Sequence, residues 1–96
     1  GEALDARGDV YSFGCMLYEL FCGRPPYTGG NADELLHKHL TASIPTIATS
    51  NEEVSPEFSS LVARMMAKNP QNRPASMTQF LDELSEMRIV RARRRS

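Results

Sequence analysis

Apolar positions recur at helical spacing along most of this chain. In one segment they fall at Phe58, Leu61, Val62, Met65 and Met66, and in a later one at Met77, Phe80, Leu81, Leu84 and Met87. Such stripes are typical of helices that bury one face in a core. No segment alternates between apolar and polar residues as a strand would. The pattern therefore predicts an all-α fold of four helices.

Polar residues mark where each helix should begin. The predicted N-caps are Asp9, Asn31, Ser55 and Ser76. Asn31 and Ser76 are each followed three positions later by Glu or Gln, which is the spacing of a capping box. Ser55 is followed by Pro, which favours the first helical position. The first three helices should end near Cys22, Leu40 and Asn69. A long loop is expected over 41–53, because Pro, Thr and Ser are scattered through it.

The first helix is apolar on nearly every side. Between Phe13 and Cys22 the only charged residue is Glu19. A helix that is apolar all round is normally buried on all sides, and a chain of 96 residues can bury only a modest core. Part of the surroundings of this helix should therefore be missing from the chain. We expect the isolated chain to be marginally stable, molten or self-associating, since large exposed apolar patches promote association.

The charges divide the chain into an acidic body and a basic end. The net charge is −1, yet residues 1–87 hold six basic and all twelve acidic residues, a net charge of −6. Residues 88–96 hold five arginines and no acid. We therefore separate a body, 1–87, from an Arg-rich tail, 88–96. The tail is interpreted first as a solvated charged end; a linker before a membrane segment and a polyanion-binding segment are the alternatives.

Composition also limits the partners and the compartment. No aromatic residue that could stack on bases lies among the tail arginines, so no nucleic-acid partner is expected. The longest apolar stretch is too short and too charged to span a membrane, so a membrane contact is expected only through a segment after the tail. No signal segment opens the chain.

Cys15 and Cys22 lie two helical turns apart, too far for a disulfide. We expect a cytoplasmic protein with free thiols.

Three motifs in the body carry a family resemblance. In chain order they are Asp9-Val10-Tyr11-Ser12-Phe13-Gly14, then Tyr18-Glu19-Leu20 with Gly23-Arg24-Pro25-Pro26-Tyr27, and finally Asn69-Pro70-Gln71-Asn72-Arg73-Pro74. They resemble the protein kinase motifs Asp-x-Trp/Tyr-Ser-x-Gly, Tyr-Glu-Leu/Met with Gly-x-Pro-Pro-Phe/Tyr, and Asp-Pro-x-x-Arg-Pro, at fitting distances. Over about residues 1–86 the chain resembles the C-terminal part of a serine/threonine kinase large lobe, most like the bacterial kinases of eukaryotic type. The fold this implies is the all-α, four-helix lower part of an α+β kinase fold.

The resemblance implies supporting roles for a few residues. Asp9 would hold the catalytic loop from beneath with an acceptor-only carboxylate. Met16 and Leu20 would anchor the hydrophobic columns that align the two lobes, with ordinary core packing as the alternative. Arg73 would pair with the Glu of an Ala-Pro-Glu motif upstream of residue 1, so here it would lack that partner. Glu19 matches a position that contacts a basic substrate side chain in some kinases; a place on the helix surface is the simpler interpretation.

The chemistry of phosphoryl transfer is absent from the sequence. That reaction needs a phosphate cradle, a lysine, metal-binding carboxylates and a base. The chain has no glycine-rich phosphate loop, no V-A-I-K, no H-R-D-x-x-x-x-N and no D-F-G motif. His37 and His39 should point in different directions from a helix, so they are interpreted as surface residues, as are Lys38 and Lys68. We predict no catalytic, cofactor-binding or metal-binding residue, and no activity for the chain alone.

Two functions are open at this point. By resemblance, the chain is part of a kinase whose intact form would transfer the γ-phosphate of ATP, with Mg²⁺, to Ser or Thr of protein substrates. ATP and Mg²⁺ are implied for that intact kinase and not for these 96 residues. Alternatively, the chain is a small helical protein-interaction module without catalysis, with residues 31–40 and the following loop as its docking surface.

Overall fold

Five α-helices follow one another along the described part of the chain. The computed structural model describes the backbone of residues 2–90 and the side chains from residue 5 onward. The elements are α1 (Glu2–Cys22), α2 (Ala32–Thr41), α3 (Ile47–Ser50), α4 (Pro56–Met65), a 3-10 turn (Pro70–Asn72) and α5 (Met77–Leu84). Within residues 2–90 no strand forms. The all-α prediction is confirmed, and α3 is an additional single turn inside the segment that the sequence predicts as loop.

The first helix begins earlier than the sequence predicts. α1 starts at Glu2, so Asp9 lies two turns inside the helix and cannot be its N-cap. A cap needs a non-helical backbone, whereas the residues before Gly8 are mostly strong helix formers and extend the helix through it. The predicted end is confirmed. Gly23 follows the helix at φ 78°, a conformation that glycine adopts at low cost.

Three of the other helices begin at the predicted N-cap residues, whose side chains accept hydrogen bonds from the first turn. The Oδ1 atom of Asn31 accepts a hydrogen bond from the backbone N–H of Glu34 at 2.8 Å, and Ser76 Oγ accepts from Gln79 at 3.1 Å. Glu34 and Gln79 each reach back to the backbone N–H of the residue before the cap. This is one residue earlier than in the usual capping box. Ser55 caps α4 in the same way and is followed by Pro.

The core lies where α1 crosses α4. Its buried members are Val10, Tyr18, Ile47, Val54, Phe58, Leu61, Val62, Met65, Met66 and Phe80. The α4 stripe is thus buried as predicted, including both methionines. The two helices approach most closely at Gly14, where an added Cβ atom would lie 2.7 Å from the Cβ of Met65. Only a residue without a side chain allows this approach, so Gly14 sets the distance between α1 and α4.

After α5 the chain returns to the start of α4. The backbone N–H of Ser55 donates to the carbonyl oxygen of Ile89 at 2.8 Å, and its hydroxyl donates to the carbonyl oxygen of Arg88 at 2.5 Å. Val54 and Val90 add an isolated antiparallel bridge. We call these three contacts the clasp. The clasp holds the first residues of the Arg-rich tail against the body. The rest of that tail lies outside the described residues, and the boundary between body and tail stays a prediction.

The two cysteines form no disulfide. Cys15 and Cys22 are both free and half-buried. None of the helices within residues 2–90 combines the length and the hydropathy that a membrane crossing requires.

Candidate functional site on the open face of the first helix

Helix α1 has two opposite faces in this structure. Val10, Gly14 and Tyr18 lie one turn apart and are buried against the rest of the protein. The opposite side faces solvent and carries Asp9, Ser12, Met16, Glu19 and Leu20. We call this second side the open face. The sequence pattern predicts burial on all sides, and the described residues bury only one.

The open face gathers four of the five residues that the kinase resemblance singles out. Asp9, Met16, Glu19 and Leu20 lie within three turns, a rise of roughly 16 Å. Met16 is 56% exposed and Leu20 is 74% exposed. Exposed apolar side chains grouped on one surface mark a place that contacts something else. The individual roles stay predictions, but the structure places these side chains on one continuous surface.

An apolar groove continues the open face toward α5. Its volume is about 290 Å³, and every side chain that lines it is apolar. Leu17 and Leu20 of α1 line it together with Phe80, Leu81 and Leu84 of α5. Leu81 belongs to the stripe that the sequence predicts as core, yet it is 56% exposed. The groove is therefore apolar surface that the described residues leave uncovered.

Arg73 lies away from the open face. Its Nε atom donates to the backbone carbonyl oxygen of Ala67 at 2.8 Å. Its two terminal nitrogens donate to the backbone carbonyl oxygens of Arg7, at 3.3 Å, and of Lys68, at 3.4 Å. The guanidinium also lies over the ring of Tyr11, 4.6 Å from the centroid, in a cation–π contact. Three backbone carbonyl groups and an aromatic ring therefore contact the guanidinium that the resemblance would pair with a glutamate. Arg73 ties the segment after α4 to α1.

A polar cluster that the sequence interpretation missed lies beside Arg73. The hydroxyl of Tyr11 lies 2.5 Å from Nδ1 of His39, and the rings of Tyr27 and His39 meet edge to face at 4.8 Å. The Nζ atom of Lys68 donates to the Tyr27 hydroxyl at 2.8 Å and to the His39 carbonyl oxygen at 2.9 Å. We call Tyr11, Tyr27, His39 and Lys68 the polar cluster. Its two basic members are half-buried, so the interpretation of His39 and Lys68 as surface residues is wrong.

Burial shifts the acid–base properties of Tyr11 and of the neighbouring Cys15. Burial raises the pKa of the Tyr11 hydroxyl, and the neighbouring Cys15 and Tyr27 raise it further. Burial also raises the pKa of the Cys15 thiol. The thiolate, and not the thiol, is the nucleophile. Both shifts therefore move Tyr11 and Cys15 away from the forms that would attack a substrate or accept its proton.

The described residues gather no cluster of metal ligands, and the groove on the open face is apolar. Among them, no three His, Cys, Asp or Glu side chains converge as metal ligands. The groove presents only apolar side chains, whereas a triphosphate needs cations and backbone N–H groups around it.

Replacing both Met16 and Leu20 by Gln should reduce self-association of the isolated chain. Both side chains are exposed, so the double substitution removes apolar surface without opening the core. The free energy of unfolding should change by no more than about 0.5 kcal/mol per site. Sedimentation velocity measures the association, and the matched control is a double Gln variant of Leu36 and Leu40, two exposed leucines of α2. An equal reduction in both variants would show that the open face has no special part in association.

Comparisons with known proteins agree on one family. The family model described as protein kinase domain matches residues 1–84. The serine/threonine-protein kinase PknB of Mycolicibacterium smegmatis is 40% identical over 73 residues, which is 76% of this chain and 12% of that protein. The probable serine/threonine-protein kinase PknB of Bifidobacterium longum is 36% identical over 84 residues, 88% of this chain and 12% of that protein. The chain thus spans about 12% of the length of these relatives.

Proposed function

Because this chain belongs to the protein kinase domain family, we propose that it forms the helical base of a serine/threonine kinase large lobe and supports an active site that other parts of the kinase supply. The named relatives are bacterial serine/threonine kinases, and the all-α fold agrees with this part of a kinase. These findings favour a kinase part over the alternative of an independent helical interaction module.

The open face is the observation that carries the proposal. It presents a carboxylate, Asp9, and two large apolar side chains, Met16 and Leu20, on the side of α1 that the described residues do not cover. Burying one such side chain contributes about 1.5–3 kcal/mol, so a covering partner would gain from both. In the proposed kinase the rest of the large lobe covers this face, and Asp9 accepts hydrogen bonds from the backbone of the catalytic loop.

The intact kinase is proposed to transfer the γ-phosphate of ATP to Ser or Thr of protein substrates. The kinase family implies ATP and Mg²⁺ for that parent. In this proposal both groups are held by parts of the kinase outside these residues. Glu19 is exposed on the open face, which is compatible with a contact to a basic side chain of the substrate. We place the protein in the cytoplasm, which two free thiols support.

A chimeric kinase tests this proposal. Residues 1–84 of this chain replace the matching segment of the Mycolicibacterium smegmatis relative, and transfer of labelled phosphate from ATP to a generic protein substrate is measured. We expect activity from the chimera and none from the 96-residue chain alone, because the catalytic motifs lie outside it. Activity of the isolated chain would overturn the proposal. A chimera that unfolds cooperatively but is inactive, beside an active parent, would overturn it as well.

In an active chimera, Asp9→Asn should lower kcat. The amide replaces an acceptor-only group with one that also presents N–H donors, so it would misalign the backbone that the carboxylate is proposed to hold. A tenfold loss, about 1.4 kcal/mol in activation free energy, is the expected scale. The matched control is Asp5→Asn, since Asp5 is also an exposed carboxylate of α1 but lies outside the motif. Equal rates for the two variants would remove the positioning role from Asp9.

A further inference from the structure

Helix α2 is attached to the body without a fully buried apolar residue. No residue of α2 is buried. Its leucines Leu36 and Leu40 are 60% and 64% exposed. Helices of globular proteins normally gain their stability by packing an apolar face. The attachment of α2 must therefore depend on other contacts, and these lie at its C-terminal end.

The polar cluster supplies those contacts. The Nζ atom of Lys68 donates to the carbonyl oxygens of Lys38 and His39, at 3.2 and 2.9 Å, in the last turn of α2. A cation at this end of a helix is favourable, because the helix dipole is negative there. The same ammonium group lies over the Tyr27 ring, 4.3 Å from its centroid. Lys68 thus joins α2 to the segment after α4 and to the loop before α2.

His39 supplies the contact between α2 and α1. Its Nδ1 atom pairs with the hydroxyl of Tyr11 at 2.5 Å, and its ring packs against both Tyr11 and Tyr27. A neutral imidazole can accept the hydroxyl proton at Nδ1, whereas a protonated one has two N–H donors and no acceptor. Protonation would therefore reverse this hydrogen bond, with Nδ1–H donating to the Tyr11 oxygen, and would add a positive charge beside Lys68.

The charges around His39 disfavour a further positive charge. Lys68 is bonded to the His39 carbonyl group, and Arg73 lies on the Tyr11 ring. Cys15 of α1 also adjoins Tyr11, and burial raises the pKa of that thiol. On α2 itself, Lys38 is 3.7 Å from the carboxylate of Glu34. Burial lowers the pKa of His39, and the positive charge of Lys68 lowers it further.

We propose that His39 makes the docking of α2 pH-sensitive: the neutral imidazole holds the helix on the body, and protonation releases it. In the free helix His39 has its ordinary pKa near 6.5, whereas in the docked helix this pKa is lower. The docked state binds the proton less well, so docking is fully stable above about pH 6.5 and weakens as the pH falls below that value. At pH 5 the docking constant falls by at most about 30-fold.

Hydrogen–deuterium exchange of the full chain tests the proposal. Exchange in residues 32–41 is compared with exchange in 56–65 between pH 7.5 and pH 5, after correction for the intrinsic pH dependence of the chemistry. We expect exchange in α2 to rise toward the 30-fold limit while exchange in α4 stays constant. The variants are His39→Gln and, as the matched control, His37→Gln, since His37 is an exposed residue of the same helix. The pH dependence of exchange in α2 should persist in the His37 variant. It should vanish in the His39 variant, whether exchange in α2 of that variant is fast or slow.

Three results would overturn the proposal. One is corrected exchange in α2 that does not depend on pH. Another is a response that survives His39→Gln. The third is an equal rise in α2 and α4, which would mean that acid loosens the whole chain and not this helix alone. An NMR titration of the unaltered chain gives an independent readout, because the His39 ring should titrate below the usual histidine range.

Discussion

Phe58→Ala should abolish cooperative folding of the chain at room temperature. Phe58 is 1% exposed, and its ring meets that of Phe21 edge to face at 5.2 Å, so truncation empties the contact between α4 and the end of α1. Such a truncation in a core costs about 3–5 kcal/mol. A small domain has a total stability of roughly 5–15 kcal/mol, and a chain with an uncovered apolar face should lie at the bottom of that range. Urea titration followed by circular dichroism measures the loss.

The control for Phe58 is Leu81→Ala. Leu81 is a large apolar residue of α5 that is 56% exposed, so its truncation should cost about 0.5 kcal/mol. If both variants lose the same stability, the chain does not have the packed core that the structure describes. A molten chain would give that result, because its side chains do not pack specifically.

Gly14→Ala should also destabilise the chain, although Ala is the better helix former. The added Cβ would lie 2.7 Å from Met65 Cβ and 3.3 Å from Met66 Cγ, so α1 and α4 would have to separate. Overpacking of this kind costs about 1–3 kcal/mol. Gly8→Ala is the matched control, because it lies in the same helix and an added Cβ there has no neighbour within 4 Å.

The difference between the two glycine variants isolates the steric effect. Both gain about 0.5–1 kcal/mol from helix propensity, and that gain cancels when the two are compared. The Gly8 variant should be more stable than the unaltered chain, and the Gly14 variant less stable, in thermal unfolding at equal concentration. A Gly14 variant that is as stable as the Gly8 variant would mean that α1 and α4 do not approach as described.

Local sequence signals predicted the helix starts at Asn31, Ser55 and Ser76, because a cap is formed by residues only a few positions apart. The same kind of signal failed at Asp9. A capping residue marks a helix start only if the chain before it is not helical, and the segment that precedes Asp9 favours helix. The competition between these two preferences is not visible from the cap alone.

The faces of α1 and the polar cluster could not be predicted from local patterns. Met16 and Leu20 look like core residues in the sequence, because nothing in a helix that is apolar all round tells which side the chain itself covers. Tyr11 and His39 are 28 positions apart, and Tyr27 and Lys68 are 41 apart. Contacts over such separations leave no periodic trace.

The clasp determines which residues bear tension first when the chain is pulled from its C-terminal end. A handle attached beyond residue 90 would pull first on Ser55 and Val54, at the start of α4, because these residues hold the returning chain. α5 would carry no tension until the clasp parted. Residues 85–90 would then straighten, and the extension gained would be less than their full extended span of roughly 20 Å. A pulling experiment should therefore show a small early extension before the helices themselves give way.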